Sequence, residues 1–167
     1  MRVEAISPVL VAAALLSSTA HADCAQALAA FEKAQREPRI AVHMVADKNE
    51  KPSGDPMQVR IGDSVYINGV FNGLQPGFFK DSSTIFPHTT DFKSTAKVTV
   101  VCKPMGEDQY RGKPATRIHV QRSDRDKGNT VWFDRASGLP VYQEDDAKTI
   151  GLAFEYGNAV KDPVVRR

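Results

Sequence analysis

The spacing of apolar residues changes once along the chain, from a helical period to a strand period. Between Asp23, which can cap a helix, and Pro38, which ends one, apolar residues recur about every three to four positions. The helical positions are Ala25, Leu28, Phe31 and Gln35. From Arg39 the period changes to two: Ile40, Val42 and Met44 alternate with Ala41, His43 and Val45, which is the period of a strand. The pattern therefore predicts one helix over residues 24–36, followed by a sheet.

Turn signals divide the remaining chain into about eight short strands. Gly62-Asp63, Asn68-Gly69 and Gly138-Leu139-Pro140 mark tight joints between apolar runs. Thr95–Lys103 and Ala115–Gln121 are predicted as two of the strands in the second half. With one helix and many short strands, the fold class is predicted as α+β, a single antiparallel sheet with an N-terminal helix. Residues 23–167 are long enough for one domain with one core.

One segment, residues 71–92, follows neither period. Five of the eight phenylalanines lie in it, interleaved with Gly, Pro, Ser and Thr. They are Phe71, Phe78, Phe79, Phe86 and Phe92. Burying one phenylalanine contributes about 1.5–3 kcal/mol, so this segment is expected to cover apolar surface. Two interpretations stand: a fixed cover that completes the core of the sheet, or a mobile lid over an apolar cavity.

The N-terminus has the three parts of a secretory signal. Arg2 is basic, Val9–Leu16 is an unbroken apolar run, and Ala20-His21-Ala22 has the small-x-small pattern of a cleavage site. The apolar run is too short to span a bilayer. We therefore predict a signal peptide at residues 1–22, cleavage after Ala22 and a soluble mature protein in the periplasm. An uncleaved anchor and a lipoprotein modified at Cys24 are the alternatives; Asp23, a bulky acid before that cysteine, disfavours the second.

Composition narrows the choice of partners. The chain has 22 basic and 20 acidic residues, a net charge of +2, and the two signs are interspersed, as in Arg122–Lys127. No basic face typical of a nucleic-acid-binding protein emerges, and no nucleic acid is expected as a partner. After the signal, no stretch of the sequence is apolar enough to predict a transmembrane segment.

The two cysteines are Cys24 and Cys102, with 77 residues between them. In an oxidising compartment such a pair is most simply a structural disulfide. Closing a loop of this length would stabilise the fold by about 4 kcal/mol in the chain-entropy model. A catalytic thiol or a metal ligand is the alternative, but the sequence has no C-x-x-C pair and no histidine spacing for a metal cluster.

Three motifs in the second half resemble those of the LolA/LolB-like superfamily of periplasmic lipoprotein carriers. Val131–Glu144 contains a tryptophan–aspartate strand end, a Gly-Leu-Pro turn and a strand that ends in an acid. Phe154–Pro163 resembles the aromatic end of the family's last strand, and Met105–Thr116 is similar to its glycine-bounded pair of strands. The resemblance is carried mainly by residues 95–163. It implies a strongly curved antiparallel sheet, an incomplete barrel of about eight strands, with helices on its concave side.

Members of this superfamily hold acyl chains inside the half-barrel, so the resemblance implies an apolar small molecule or lipid as ligand. Trp132, Phe78, Phe79 and Phe86 are the predicted ligand-binding residues. The function predicted first is therefore an exported binding protein that holds an apolar ligand in a half-barrel hollow. The alternative is a non-catalytic module on the same fold that binds an envelope protein or senses envelope stress, with the phenylalanines filling the hollow.

No catalytic, metal-binding or cofactor-binding motif is found in the sequence. There is no G-x-S-x-G nucleophile turn and no glycine-rich phosphate loop. The acids Glu144, Asp145 and Asp146 lack the spacing of a calcium loop. The prediction is therefore no enzyme, no cofactor and no metal. A hydrolase hidden from sequence patterns would need a cleft with clustered titratable groups, drawn from His43, His119 or the acids.

Overall fold

The structure is a computed structural model that describes residues 19–74, 94, 96–148 and 151–164. Within these ranges the chain forms one α-helix, nine strands and one short 3₁₀ helix. The helices are α1 (Thr19–Gln35) and the 3₁₀ turn Gly157–Ala159. The strands are β1 (Arg39–Val45), β2 (Gln58–Ile61), β3 (Ser64–Ile67), β4 (Val70–Leu74), β5 (Val100–Tyr110), β6 (Lys113–Arg122), β7 (Asn129–Asp134), β8 (Pro140–Asp145) and β9 (Gly151–Tyr156).

All nine strands belong to one antiparallel sheet, in the order β4-β3-β2-β1-β9-β8-β7-β6-β5. The sheet is two meanders joined where β1 pairs with β9. β4 and β5 lie at opposite ends, so the sheet is open. The predicted fold class, α+β with a curved antiparallel sheet and an N-terminal helix, is confirmed, with nine strands where about eight were predicted.

Strand β5 differs from its prediction at both ends. Residues 96–99 lie outside the strand, which starts at Val100 and continues beyond Lys103 to Tyr110. The prediction stopped before Pro104, because proline cannot donate a ladder hydrogen bond. A register shift between Pro104 and Gly106 takes up this break, and Gly106 has a φ of +81°, so pairing with β6 resumes beyond it.

Helix α1 begins earlier than predicted and has a different buried stripe. It starts at Thr19, so Asp23 is an interior residue of the helix and not its cap. Alanine at two of the four preceding positions favours continuing the helix. Ala27, Phe31 and Ala34 are fully buried, whereas Ala25 is exposed. The predicted spacing is right at Phe31, which is fully buried, and at Leu28, which packs partly buried against the same core, but it is wrong at Ala25.

Helix α1 covers one face of the sheet, here called the α1 face. Phe31 packs edge-on against Phe133 of β7, with ring centroids 5.9 Å apart. The same core includes Ile40, Val42, Ile118, Val131 and Phe154. Cys24 of the helix is bonded to Cys102 of β5, with their Cα atoms 5.2 Å apart. The predicted disulfide is therefore confirmed, and it fixes the N-terminal half of the helix to the end strand of the sheet.

The other end of α1 is held by a buried arginine. Arg60 of β2 is only 5% exposed, and its guanidinium donates to the carbonyl oxygens of Gln35, at 3.0 Å, and of Glu37. These carbonyls belong to the C-terminal end of the helix, where a cation is favoured. Burial lowers the pKa of Arg60 to about 10, which leaves it charged at neutral pH. The helix is thus held in its N-terminal half by the Cys24–Cys102 bond and at its C-terminal end by the charged Arg60 side chain.

The second face of the sheet, here called the opposite face, carries a row of aromatic and polar side chains. In register across four strands lie His43, Ala153, Tyr142 and Trp132. Tyr110 at the end of β5 stacks on Tyr142, with ring centroids 5.7 Å apart. In a flat sheet β5 and β8, three strands apart, would be separated by about 14 Å. The end of β5 therefore bends over the opposite face, as expected for a curved sheet.

Candidate functional site

A hollow of about 480 Å³ lies on the opposite face, beside the aromatic row. Its floor includes Ala41 and His43 of β1, Val59 of β2 and Glu155 of β9. These side chains share a face because Ala41 is in register with Val59 on one side and with Glu155 on the other. Its remaining lining residues are Lys51, Pro52, Gly54, Asp55, Pro56, Gly69, Ala159, Lys161, Asp162, Pro163 and Val164.

Two walls of the hollow come from outside the sheet. One is the loop between β1 and β2, and the other is the chain that follows the 3₁₀ turn after β9. The second wall is fixed by Arg39, whose guanidinium donates to the Val160 carbonyl at 2.9 Å and to the Asp162 carboxylate at 2.6 Å. Val160 is itself buried against Ala41 and Val59. This wall is therefore part of the folded domain.

The charges around the hollow are of both signs. Lys51 and Lys161 are cations, and Asp55, Glu155 and Asp162 are carboxylates. His43 is buried in the floor, with its Nε2 3.3 Å from Glu155 Oε2. Apolar atoms and prolines lie between these groups. The arrangement can hydrogen-bond a ligand that has both donors and acceptors and can also take up its apolar parts.

The β1–β2 loop is fastened to the β5–β6 hairpin. Lys48 Nζ donates to Asp108 Oδ2 at 2.7 Å, and the Trp132 indole donates to the same oxygen at 2.9 Å. These two hydrogen bonds, Lys48 first, hold the pKa of the Asp108 carboxyl well below its usual range. Arg111, at the turn of the hairpin, donates to the backbone carbonyl of Glu50. The loop therefore crosses the opposite face from β1 to the hairpin.

Trp132 lies on the opposite face and is 3% exposed. Its ring packs against Tyr142, with centroids 5.1 Å apart, and the Lys48 ammonium lies 5.8 Å from its centroid. It is not one of the residues that line the 480 Å³ hollow. Its role as a ligand-binding residue stays a prediction. Phe78, Phe79 and Phe86, predicted with it, lie outside the described residues.

The remaining polar residues singled out in the sequence are separate from the hollow. His119 of β6 has its Nε2 3.0 Å from Asp146 Oδ1, and Asp146 also accepts from the Gly128 backbone at 2.8 Å. Glu144 accepts from the Tyr142 hydroxyl at 3.2 Å. The two contacts of Asp146 connect the β8–β9 loop to the β6–β7 hairpin, whereas the Tyr142–Glu144 contact lies within β8. Across the described part of the chain, no three His, Cys, Asp or Glu side chains are grouped as a metal site.

Sequence reasoning missed the hollow and the fastening of its loop. Lys48 and Asp108 are 60 positions apart, and neither lies in a recognisable motif. Only the pairing of β1 with β9 and the bend of β5 bring them together. The available signal was compositional: Pro52, Gly54 and Pro56 mark a loop between two strands, but they do not say where it lies.

The architecture defines the chain as a single open antiparallel sheet with one N-terminal helix on one face. None of the helices in the described ranges has the length and apolar character needed to traverse a bilayer. No protein-family model matches the chain, and no curated protein matches it either.

Among solved structures, the chain is similar to MucB, determined in complex with MucA(peri). The TM-score is 0.42 and the sequence identity 14%, over 88% of this chain and 59% of the MucB chain. This chain thus matches less than two thirds of MucB. A likeness at this level carries no argument about ligand, partner or location.

Proposed function

We propose that this chain is an exported, non-catalytic binding protein of the cell envelope, and that it binds a peptide segment of a partner protein in the hollow of the opposite face. The observation that carries the proposal is the lining of that hollow. Its volume, about 480 Å³, lies in the usual range of ligand sites. Its walls alternate between small or apolar residues and charges of both signs.

A polypeptide suits this lining better than a hydrocarbon does. An acyl chain in the hollow would cover the Lys161 ammonium and would displace water from the His43–Glu155 pair without offering a hydrogen bond, and burying charged groups in this way is costly. A peptide brings backbone N–H and C=O groups at every residue, together with side chains of either polarity. Of the two functions predicted from sequence, this lining favours the one with a protein partner. That prediction had the phenylalanines filling the hollow, whereas in this proposal the open hollow is itself the binding site.

The absence of catalysis is part of the proposal. Apart from His43, the titratable groups among the described lining residues are lysines and carboxylates, and none of these described residues is Ser, Thr or Cys. His43 is held by Glu155 and has no hydroxyl or thiol beside it within the lining to activate. The cleft of titratable groups that a hidden hydrolase would need is there, but it lacks a nucleophile of this kind.

Export and location in the periplasm are proposed from two independent features. The first is the signal-like N-terminus, with cleavage expected after Ala22 and a single mature domain at residues 23–167. The second is the Cys24–Cys102 bond, because disulfides persist in oxidising compartments. N-terminal sequencing of the protein from a periplasmic extract tests both, with Asp23 expected as the first residue.

The test of peptide binding uses a random 12-residue peptide library displayed on phage and panned against the immobilised mature protein. Recovered peptides are then titrated by calorimetry against the wild type and two variants. Ala159→Trp places an indole at the exposed wall of the hollow and should weaken binding at least about tenfold. Ala147→Trp, at an exposed position of the β8–β9 joint outside the lining, is the matched control. Failure to recover any binding peptide, or equal affinities for all three proteins, would contradict the proposal.

Carriage of an apolar ligand is the second candidate, and one observation favours it. Met44 and Val70, both on the α1 face, are 55% and 54% exposed. They share that face because Met44 is two positions from Val42, and Val70 is in register with Ile67 opposite Gln58. Native mass spectrometry of gently purified protein, with and without added fatty acids and phospholipids, tests this candidate. A protein with no bound lipid and no mass shift would exclude it.

A further inference from the structure

The loop that forms one wall of the hollow is attached to the rest of the molecule in an unusual place. It leaves β1 after Val45 and enters β2 at Gln58. Between these ends it reaches the β5–β6 hairpin, although β5 is five strands away from β1 in the sheet. Its two described attachments there are Lys48 to Asp108, at 2.7 Å, and Arg111 to the Glu50 carbonyl.

The first part of the loop is a compact turn. The Ala46 backbone N–H donates to Glu50 Oε2 at 3.0 Å, and the Asn49 N–H donates to Asp47 Oδ1 at 2.7 Å. The Glu50 N–H donates to the Asp47 carbonyl at 3.1 Å. Residues 46–50 therefore form one turn, and the two contacts with the hairpin hold that turn in place and limit its opening.

The second part of the loop forms the wall itself. Residues 51–56 line the hollow except for Ser53, and most of them are exposed. Pro52 and Pro56 have no backbone N–H with which to bond the sheet. The position of this wall is consequently determined by the turn at 46–50 on one side and by β2 on the other.

We propose that the Lys48–Asp108 and Glu50–Arg111 contacts form a clasp that closes the hollow, and that its release opens the hollow for the peptide. The inference rests on the proposed function for the identity of the ligand, but not for the movement of the loop. The clasp gates entry because the wall it holds stands between the hollow and solvent.

The clasp is built so that it can open without leaving a buried charge unpaired. When Lys48 withdraws, Asp108 keeps the Trp132 indole as a donor, and the Arg117 guanidinium lies 3.7 Å from the same oxygen. The Lys48 ammonium returns to water, because its side chain is already 28% exposed in the closed position. The open state therefore has no orphaned ion, which keeps opening energetically accessible.

Hydrogen–deuterium exchange of the oxidised mature protein tests the clasp without any ligand. Lys48→Met should raise the exchange rates of the Ala46, Asn49 and Glu50 amides, whose hydrogen bonds form the turn, about tenfold, which is the loss expected for one charge-assisted hydrogen bond. Lys127→Met, at the exposed tip of the β6–β7 hairpin, is the matched control and should change none of them. Amides of β1 and β9 should keep wild-type rates in both variants.

A second variant, Arg111→Met, tests the clasp even if Lys48→Met also destabilises the rest of the fold. It removes the other contact and should accelerate exchange of the same amides. Unchanged exchange of the Ala46, Asn49 and Glu50 amides in both variants would overturn the clasp. Peptides recovered by panning form a separate arm, in which a released clasp should raise their association rate at least about threefold. Fast loop exchange with no peptide bound would retain the clasp and reject the proposed function.

Discussion

The bond between Cys24 and Cys102 should be the largest single contribution to stability that one covalent change can remove. The two residues are separated by 78 positions, and closing a loop of that length restricts the unfolded chain. The chain-entropy relation gives about 4.5 kcal/mol for it. Total stabilities are typically about 5–15 kcal/mol, so the reduced protein is expected to be close to unfolding at 37 °C.

Urea denaturation followed by circular dichroism measures this effect. The oxidised protein, the same protein kept in dithiothreitol and the double variant Cys24→Ala/Cys102→Ala are compared. Reduction leaves both sulfur atoms in the protein, so its effect reports the bond itself. The double variant also removes the Cys102 sulfur from the core, where this residue is 2% exposed, and should lose about another 1 kcal/mol.

The physical cause can be separated from simple loss of packing by the slope of the transition. A cross-link makes the unfolded state more compact, so reduction should increase the dependence of the unfolding free energy on urea concentration. A reduced protein with the same midpoint and the same slope as the oxidised one would refute the reasoning. It would mean that the helix is held by its apolar face and by Arg60 alone.

Three further changes are expected to have measurable effects. Arg60→Met should lower the free energy of unfolding by about 1–3 kcal/mol in urea titrations, because it leaves the last carbonyls of α1 without their donor. Gly151→Ala should introduce a clash between the new Cβ and the Tyr142 ring, which should lower the stability measured in thermal melts by about 1–3 kcal/mol. Adding Tyr142→Phe should restore part of the lost stability. Asp108→Asn should lower the melting temperature at pH 7 but much less at pH 2; a constant difference would contradict the assignment. The sign follows from the depressed pKa of Asp108: its stabilisation is complete above the unfolded carboxyl pKa of about 3.9 and is lost as pH falls below it.

The strands and the disulfide could be predicted because their signals are local or nearly so. Alternation from Ile40 to Val45 indicates a strand whatever lies beside it, although it does not report burial, because residues 40–43 are buried on both faces and Met44 is exposed. The pairing of Cys24 with Cys102 follows from there being two cysteines in an oxidising compartment. The bulge at Pro104 could not be predicted, because proline normally ends a strand and only the partner strand decides whether pairing resumes.

The candidate site depends on contacts between parts of the chain that are far apart in sequence. The hollow exists because β1 lies between β2 and β9 in the sheet, and no local sequence pattern predicts that strand order. Arg60 looks like a solvated strand residue in the sequence, yet it is buried at the end of α1. The helix boundary was predicted late because Asp23 is a good cap and nothing in the local pattern prevents the alanines before it from extending the helix.

The break in the ladder at Pro104 has a consequence for how this protein behaves at high concentration. β5 is an end strand of 11 residues. If its unpaired backbone groups formed one unbroken row, another chain could add a strand there by hydrogen bonding. The proline, the shifted register and the charged neighbours Lys103 and Glu107 interrupt that template. We therefore expect strand addition at this edge to be limited, and Pro104→Val should increase fibrous aggregation at high concentration, measured by thioflavin T fluorescence.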